Sequence, residues 1–339
     1  MPLTQDFEES CPYSLRKLNL YSMRRLERLL GLSRNYIRAA AASAGGNYSP
    51  FEKLSKPKPF QLKPAPLKRR KIDNPSTELK KVQSLIAKRL LRPLSLPPHI
   101  CGGIKGKNVL DNAALHRNLR VLLKIDIKRF FPSITNKHVY AVWRDLLNCS
   151  PEISSLLTKL TTFERHLPQG APSSTMLANL VLYSCGGAIR DECCRRNIQY
   201  SSWIDDLAFS SDDPRPVINV VISVLGEAGF RISRKKLEIA GPGTRKILNG
   251  VVLGRRFGVP PDRLSRIRSG VHKLREGHVP AAQIEGYVRS LRGSIAQIVP
   301  INAKKAESLG KDLEAALQES RIIQAGVGTI KRRRGPEVK

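Results

Sequence analysis

The chain has 339 residues, 41% of them hydrophobic and 26% charged, a globular balance that excludes wholesale disorder and allows two or three subdomains. Its 59 Lys and Arg against 28 Asp and Glu give a net charge of +31, which points to a polyanionic partner, nucleic acid ahead of an anionic membrane. No apolar run approaches the roughly 20 residues needed to span a bilayer, so a membrane-embedded protein is not expected.

The opening MPLTQDFEESCPYS is acidic and polar, unlike a secretory signal, and the six cysteines show no CxxC or Cys/His zinc spacing. Both features fit reduced thiols in a cytoplasmic protein. Leu18, Met23, Leu26, Leu29 and Leu30 set a helical stripe within residues 17–43, and Ser33 suits the cap of a second, Ala-rich helix. After the break SAGGNYSP, Pro-studded residues 55–67 read as loop or extended chain. Residues 61–95 carry ten Lys and Arg against two acids, and from Ser76 an amphipathic helix opens on STEL.

In the middle of the chain, RVLLKIDIKRFF (120–131) reads as a strand, LPQGAPSST as a loop and TMLANLVLYSCGGAIRDECCRR as one long helix. YSSWIDDLAFSS reads as a hairpin, residues 214–229 as a helix, and FRISRKKLEIAG and KILNGVVLG as strands. This irregular mixture predicts an α+β domain rather than βαβ repeats. From residue 255 helices are expected. The first carries Leu264, Ile267, Val271 and Leu274, with Arg263, Arg266 and Lys273 as a neighbouring basic stripe. The second carries Ile284, Tyr287, Leu291, Ile295 and Ile298, and the third Leu309, Leu313 and Leu317. The closing KRRRGPEVK reads as a basic tail.

Adjacent Asp205 and Asp206 suit an ordinary hairpin turn, because Asp tolerates turn dihedrals and bonds its own backbone. They also suit phosphoryl transfer, in which two divalent ions roughly 3.5–4 Å apart are held by carboxylates from neighbouring strands. That chemistry requires a third acid, and Asp126 sits in a strand otherwise apolar apart from Lys124. Taken alone, Asp126 fits a metal ligand or an ion pair with Lys124 or Arg129 equally well. The loop LPQGAPSS (167–174) falls between the two Asp-bearing segments, with Gly170 allowing close backbone approach and Gln169 offering an amide.

KIDIKRFFPSI, LPQGAPSSTMLANLVL, YSSWIDDLAFSS, ISRKKLEIAGPG and LNGVVLG, in that order and spacing, resemble the motifs of bacterial reverse transcriptases over residues 60 to 300. The likeness is greatest to the retron reverse transcriptases, whose Asn-Ala-x-x-His element is similar to DNAALH (111–116). The resemblance implies a right-hand polymerase fold: an N-terminal helical extension (1–60), fingers (61–119), a palm with an antiparallel sheet (120–254) and a helical thumb with basic tail (255–339). It implies an RNA-directed DNA polymerase using two Mg²⁺, with Mn²⁺ as a substitute, in which Asp126, Asp205 and Asp206 hold the metals. By the same likeness, Lys236 protonates departing pyrophosphate and Phe131 excludes a ribose 2′-OH. Gln169 and Gly170 then face the incoming dNTP, and Arg70, with Lys68 or Lys71, meets its triphosphate. Asn112 and His116 correspond to an element tied to the cognate RNA; read simply as residues, they are a helix cap and a core histidine. Basic residues such as Arg263, Arg266 and Lys273 would track template–primer phosphates.

A retron enzyme further implies a structured noncoding RNA as template and 2′-OH primer, a branched RNA–DNA product, a companion effector protein, and a role in bacterial anti-phage defence. Another defence-associated reverse transcriptase and a catalytically silent RNA-binding scaffold are the rival readings. Three positions depart from the family pattern. Trp203 stands for the usual Tyr, Ile204 for a small residue, and Leu248-Asn249 for Val-Thr.

Overall fold

The structure is a computed structural model and describes residues 15–43, 46–54 and 69–333. The expectations for residues 55–67, for Lys68 and for the end of the basic tail lie outside the described residues. Contacts divide the described residues into two compact units, one through Lys53 and over Arg69–Lys246, the other from Ile247 on together with Leu54.

In the first unit, Ser22 and Ser33 cap α1 (Met23–Leu30) and α2 (Arg34–Ala42), each hydroxyl accepting from the N–H three residues on. Gly31 closes α1 at φ 61, a left-handed position that glycine takes without strain. β1 (Tyr48–Leu54) and β2 (Arg69–Pro75) form a separate two-stranded sheet. Ser76 caps α3 (Thr77–Ile86), as STEL predicts, and the helix runs on through a π turn at Ala87–Leu91. A capping box of Asn108 and Asp111 starts α4 (Val109–Leu115).

β3 (Val121–Asp126) is shorter than the expected strand. At Arg129 the chain takes φ 51 and turns into the one-turn helix α5 (Phe130–Ser133), followed by α6 (Asn136–Ala141) and α7 (Pro151–Thr161). The single long helix expected after LPQGAPSST is two, α8 (Ser174–Cys185) and α9 (Gly187–Arg195). The break falls at the Gly186-Gly187 pair, where a Cβ on Gly186 would lie 2.7 Å from the Leu182 carbonyl oxygen. β4 (Gln199–Trp203) and β5 (Asp206–Ser211) make the expected hairpin, and α10 (Val217–Glu227) follows. FRISRKKLEIAG is only partly strand. It bridges Ile127 at Ile232, makes a 3₁₀ turn over Arg234–Lys236, and ends in β6 (Glu238–Ala240).

The main sheet has the order β4-β5-β3-β6, antiparallel at each step. Its apolar face, including Leu123, Ile125, Leu207 and Phe209, joins Trp143, Phe130 and the α8 residues Leu177 and Leu180 in one core. Each such side chain, fully buried, contributes about 1.5–3 kcal/mol, so the sheet is a rigid platform for whatever its ends carry.

In the second unit, β7 (Ile247–Leu248) and β8 (Val251–Val252) meet at Asn249-Gly250, whose φ values of 47 and 79 are those an Asn-Gly hairpin turn requires. Helices α11 (Pro261–Arg275), α12 (Ile284–Ala296) and α13 (Ala303–Arg333) bury Ile267, Val271, Leu274, Leu291, Ile295, Leu309 and Leu313 against one another. These are the periodic positions read from the sequence.

One buried polar contact matters to the hairpin. The His116 ring, 1% exposed, lies 2.5 Å from the Ser210 hydroxyl on β5 and 2.7 Å from the Ser201 hydroxyl on β4. Burial lowers the ring to a pKa of about 4, so it is neutral at ordinary pH, with one nitrogen donating and one accepting. Replacing His116 with Ala strands two buried hydroxyls, so unfolding in urea should show a loss of about 2–5 kcal/mol, with His116→Gln recovering part of it.

Candidate active site

Strand register brings the acids together. Asp126, at the end of β3, is paired across the ladder with Asp206 on β5, and Trp203 is paired with Asp206 within the hairpin. Ile204 and Asp205 are therefore a two-residue turn. Two further bonds fix the ends: Ile127 N–H donates to the Asp205 carbonyl at 2.9 Å, and Ser233 N–H donates to the Asp126 carbonyl at 2.7 Å. Three carboxylates thus share one end of the sheet.

The Lys236 ammonium donates to Asp126 Oδ2 at 2.5 Å, and that bond, with the charges of Asp126, Asp206 and Asp205, raises its pKa above the ordinary lysine value. The ion pair considered for Asp126 is made by Lys236, whereas Lys124 pairs with Glu238 at 2.7 Å. Burial of its carboxyl, offset by a backbone hydrogen bond and reinforced by Asp126, raises the pKa of Asp205. Partial burial, then Asp205 and Asp126, push Asp206 up to about 6. The Asp206 residue is itself exposed, so solvent screens part of that crowding. Among the described residues no three His, Cys, Asp or Glu side chains are drawn into a closed metal cage. The donors still fit a hard divalent ion, because they are all oxygen, crowded and short of positive charge. Mg²⁺ in particular takes few carboxylates and completes its shell with water and substrate phosphates.

Ile204 sits at φ 61, where a β-branched side chain is strained and glycine is the usual occupant. The segment before Ile104 braces it. Cys101 N–H donates to the Ser202 carbonyl at 2.9 Å, Ser202 N–H donates to the His99 carbonyl at 2.8 Å, and the Asn179 amide donates to the Gly102 carbonyl at 2.8 Å. A Cβ on Gly102 would meet Ile204 N at 2.6 Å and the Trp203 carbonyl carbon at 2.7 Å. The CGG sequence could have signalled this close approach, but nothing in it names the partner 102 residues away.

The other expected site residues fall as follows. Arg70 is exposed on β2 and is among the cations whose charge reaches Asp205. Gln169 and Gly170 lie against β2: Asp73 N–H donates to the Gln169 carbonyl at 3.0 Å, and a Cβ on Gly170, at φ 127, would be 3.0 Å from the Ile72 side chain. Phe131 is half-buried in α5, its ring edge-on to Phe130 at 6.2 Å. Asn112 and His116 are each 1% exposed and lie in the protein's interior. Arg263 is half-buried and donates to the Gln297 side chain, Arg266 donates to the Asp262 carbonyl at 3.2 Å, and Lys273 is exposed. These last three belong to the second unit.

Residues 56–253 match the family described as "Reverse transcriptase (RNA-dependent DNA polymerase)". The chain is 32% identical over 252 residues to the retron Ec86 reverse transcriptase of Escherichia coli, covering 73% of this chain and 77% of that protein. It is 28% identical to the retron Se72 enzyme of Salmonella heidelberg and to the retron Mx65 enzyme of Myxococcus xanthus. Those alignments cover 64% and 70% of this chain, but 57% and 59% of the two relatives. Among solved structures, a telomerase from Candida albicans with a telomeric RNA fragment aligns over 81% of this chain and 59% of that one. The TM-score is 0.44 and the identity 11%, too loose a likeness to bear inference.

Two outcomes follow from this geometry. Gly102→Ala should displace the Ile204 turn, lowering the melting temperature and nucleotide incorporation together. Gly226→Ala, in α10 with nothing within 4 Å of the new methyl, should leave incorporation unchanged. The raised pKa of Asp206 means that the metal-free fold favours the protonated acid. That stability is complete below the ordinary carboxylate pKa and lost as pH rises through about 6. Thermal scans without divalent metal should therefore show Asp206→Asn more stable than the parent chain, by a margin that grows from about pH 4 to about pH 7.

Proposed function

Because the chain belongs to the reverse transcriptases and, within them, to the retron enzymes, we propose that it copies a cognate noncoding RNA into DNA at the carboxylate end of its main sheet. The observation that carries this reading is the register of β3 against the hairpin, which sets Asp126 opposite Asp206 with Asp205 in the turn between strands. In the right-hand polymerase fold, fingers are assigned to residues 61–119, palm to 120–254 and thumb to 255–339, although compaction divides the chain at Lys246.

Asp126, Asp205 and Asp206 would hold two Mg²⁺ ions, or Mn²⁺ in their place. Bound there, the ions supply charge neutralisation at the triphosphate and activation of the primer hydroxyl. Arg70 meets the phosphates from the β2 side, with Lys68 as a candidate second cation. Gln169 and Gly170 line the nucleotide from the loop between α7 and α8. Phe131 stands five residues past Asp126, as the family's sugar-selecting aromatic does. Lys236 stays protonated through its hydrogen bond to Asp126, and so retains a proton to give pyrophosphate as it leaves. Arg266 and Lys273 are suited to phosphate contacts that hold template and primer without reading sequence.

The retron kinship supports priming from a 2′-OH of the template RNA, a branched RNA–DNA product, an effector partner and a bacterial cytoplasmic role in anti-phage defence. Among the described residues no helix is long and apolar enough to cross a membrane. Asp205→Asn combined with Asp206→Asn should reduce dNTP incorporation on an RNA template to background, while RNA affinity stays within about threefold of the parent. Incorporation surviving both substitutions would falsify the site. Nucleic acid copurifying with the protein should release DNA from RNA only after debranching or RNase treatment; plain RNA would favour a silent scaffold.

A further inference from the structure

Asp73 has no role in the chemistry above, yet it is 2% exposed, and a buried carboxylate is costly unless something compensates it. Its Oδ2 accepts from the Gln169 N–H at 3.2 Å and from His166 Nε2 at 3.1 Å, while its own N–H donates to the Gln169 carbonyl at 3.0 Å. Its Oδ1 has no hydrogen-bond partner among the described residues. An apolar residue would avoid that cost but could not make these hydrogen bonds.

That geometry links two parts of the candidate nucleotide pocket. β2 carries Arg70, but among the described residues it pairs with β1 and takes no place in the main sheet's ladder. The loop carrying Gln169 and Gly170 is separate in sequence. Asp73 is the buried tie between them; the neighbouring Lys71–Glu164 pair, at 3.4 Å, is exposed on both sides and contributes little. His166 is held for this purpose. Phe163 and His166 exchange backbone hydrogen bonds at 2.9 and 2.8 Å around Glu164 and Arg165, whose φ values are 43 and 62. Glu and Arg are poor occupants of such a turn, where Asn-Gly is the usual choice. Strain of this kind persists only where surrounding contacts overdetermine it.

We propose that Asp73, with His166 as its partner, is a positioning residue that locks the Arg70 strand to the Gln169–Gly170 loop, so that the two sides of the dNTP pocket hold one geometry. The inference rests on the reading of Arg70 and Gln169 as nucleotide-binding residues. An alternative role, a purely structural anchor for β2, predicts lost stability but no selective effect on nucleotide affinity.

Single-nucleotide incorporation on a saturating RNA template–primer separates the two. Asp73→Ala and His166→Ala should each raise the KM for dNTP about tenfold, with kcat and template–primer affinity within about twofold. Asp73→Asn, which keeps one acceptor oxygen, should recover much of the loss. Because Asp73 acts through Arg70, Asp73→Ala should add little to KM in an Arg70→Ala background. Full additivity there, or a fall in kcat with KM unmoved, would overturn the proposal. If Arg70→Ala and Gln169→Ala both leave KM unchanged, the nucleotide-site reading fails first and takes the clamp with it. If Asp73→Ala does not fold, Asp73→Asn and His166→Gln carry the same comparison: a raised KM at unchanged kcat supports the clamp, and an unchanged KM removes it.

Discussion

Carboxylates crowded at one end of a sheet raise one another's proton affinity and push their strands apart, and the first unit is arranged to resist that push. The β3–β5 ladder provides the main restraint, since opposing Asp126 to Asp206 is the last step of a six-residue register that cannot slip without turning Leu123, Ile125, Leu207 and Phe209 out of the core. The bond from Ile127 to the Asp205 carbonyl extends the ladder past the acids themselves. Behind them, neutral His116 ties β4 to β5 through two buried hydroxyls. Lys236 offsets one charge of the three. These restraints lie on different segments of the first unit.

Local features of this arrangement were legible in the sequence and long-range ones were not. The helix starts at Ser22, Ser33 and Ser76, the DD hairpin and the apolar periods of α11 to α13 follow from signals within a few residues. The Gly186-Gly187 break is local too, two adjacent glycines inside an apolar run that by itself reads as one helix. Sequence proximity offers only Lys124 and Arg129 as ion-pair alternatives to a metal at Asp126, whereas the fold brings Lys236 from 110 residues away. The same limit hid Asp73 and His166, which are 93 residues apart and ordinary in isolation. For DNAALH the residues read by themselves include a core histidine, and His116 is buried, as Asn112 is.

Ile204 brings these two kinds of information together. A hairpin turn of two residues with φ 61 at the first position favours glycine, and holding a β-branched residue there costs about 1–3 kcal/mol. The turn does not relax, because the strand pairing on one side and the segment from His99 to Gly103 on the other leave it nowhere to go. The separation of Asp205 from Asp126 is therefore set by the surroundings of the turn and not by the turn's own preference. In this chain Ile204 Cγ1 lies 2.8 Å from where a Gly102 Cβ would be, so the bulk at one position depends on the absence of a side chain at the other. Ile204 and Gly102 are one feature of the site, and a change at either alone alters the spacing of the acids.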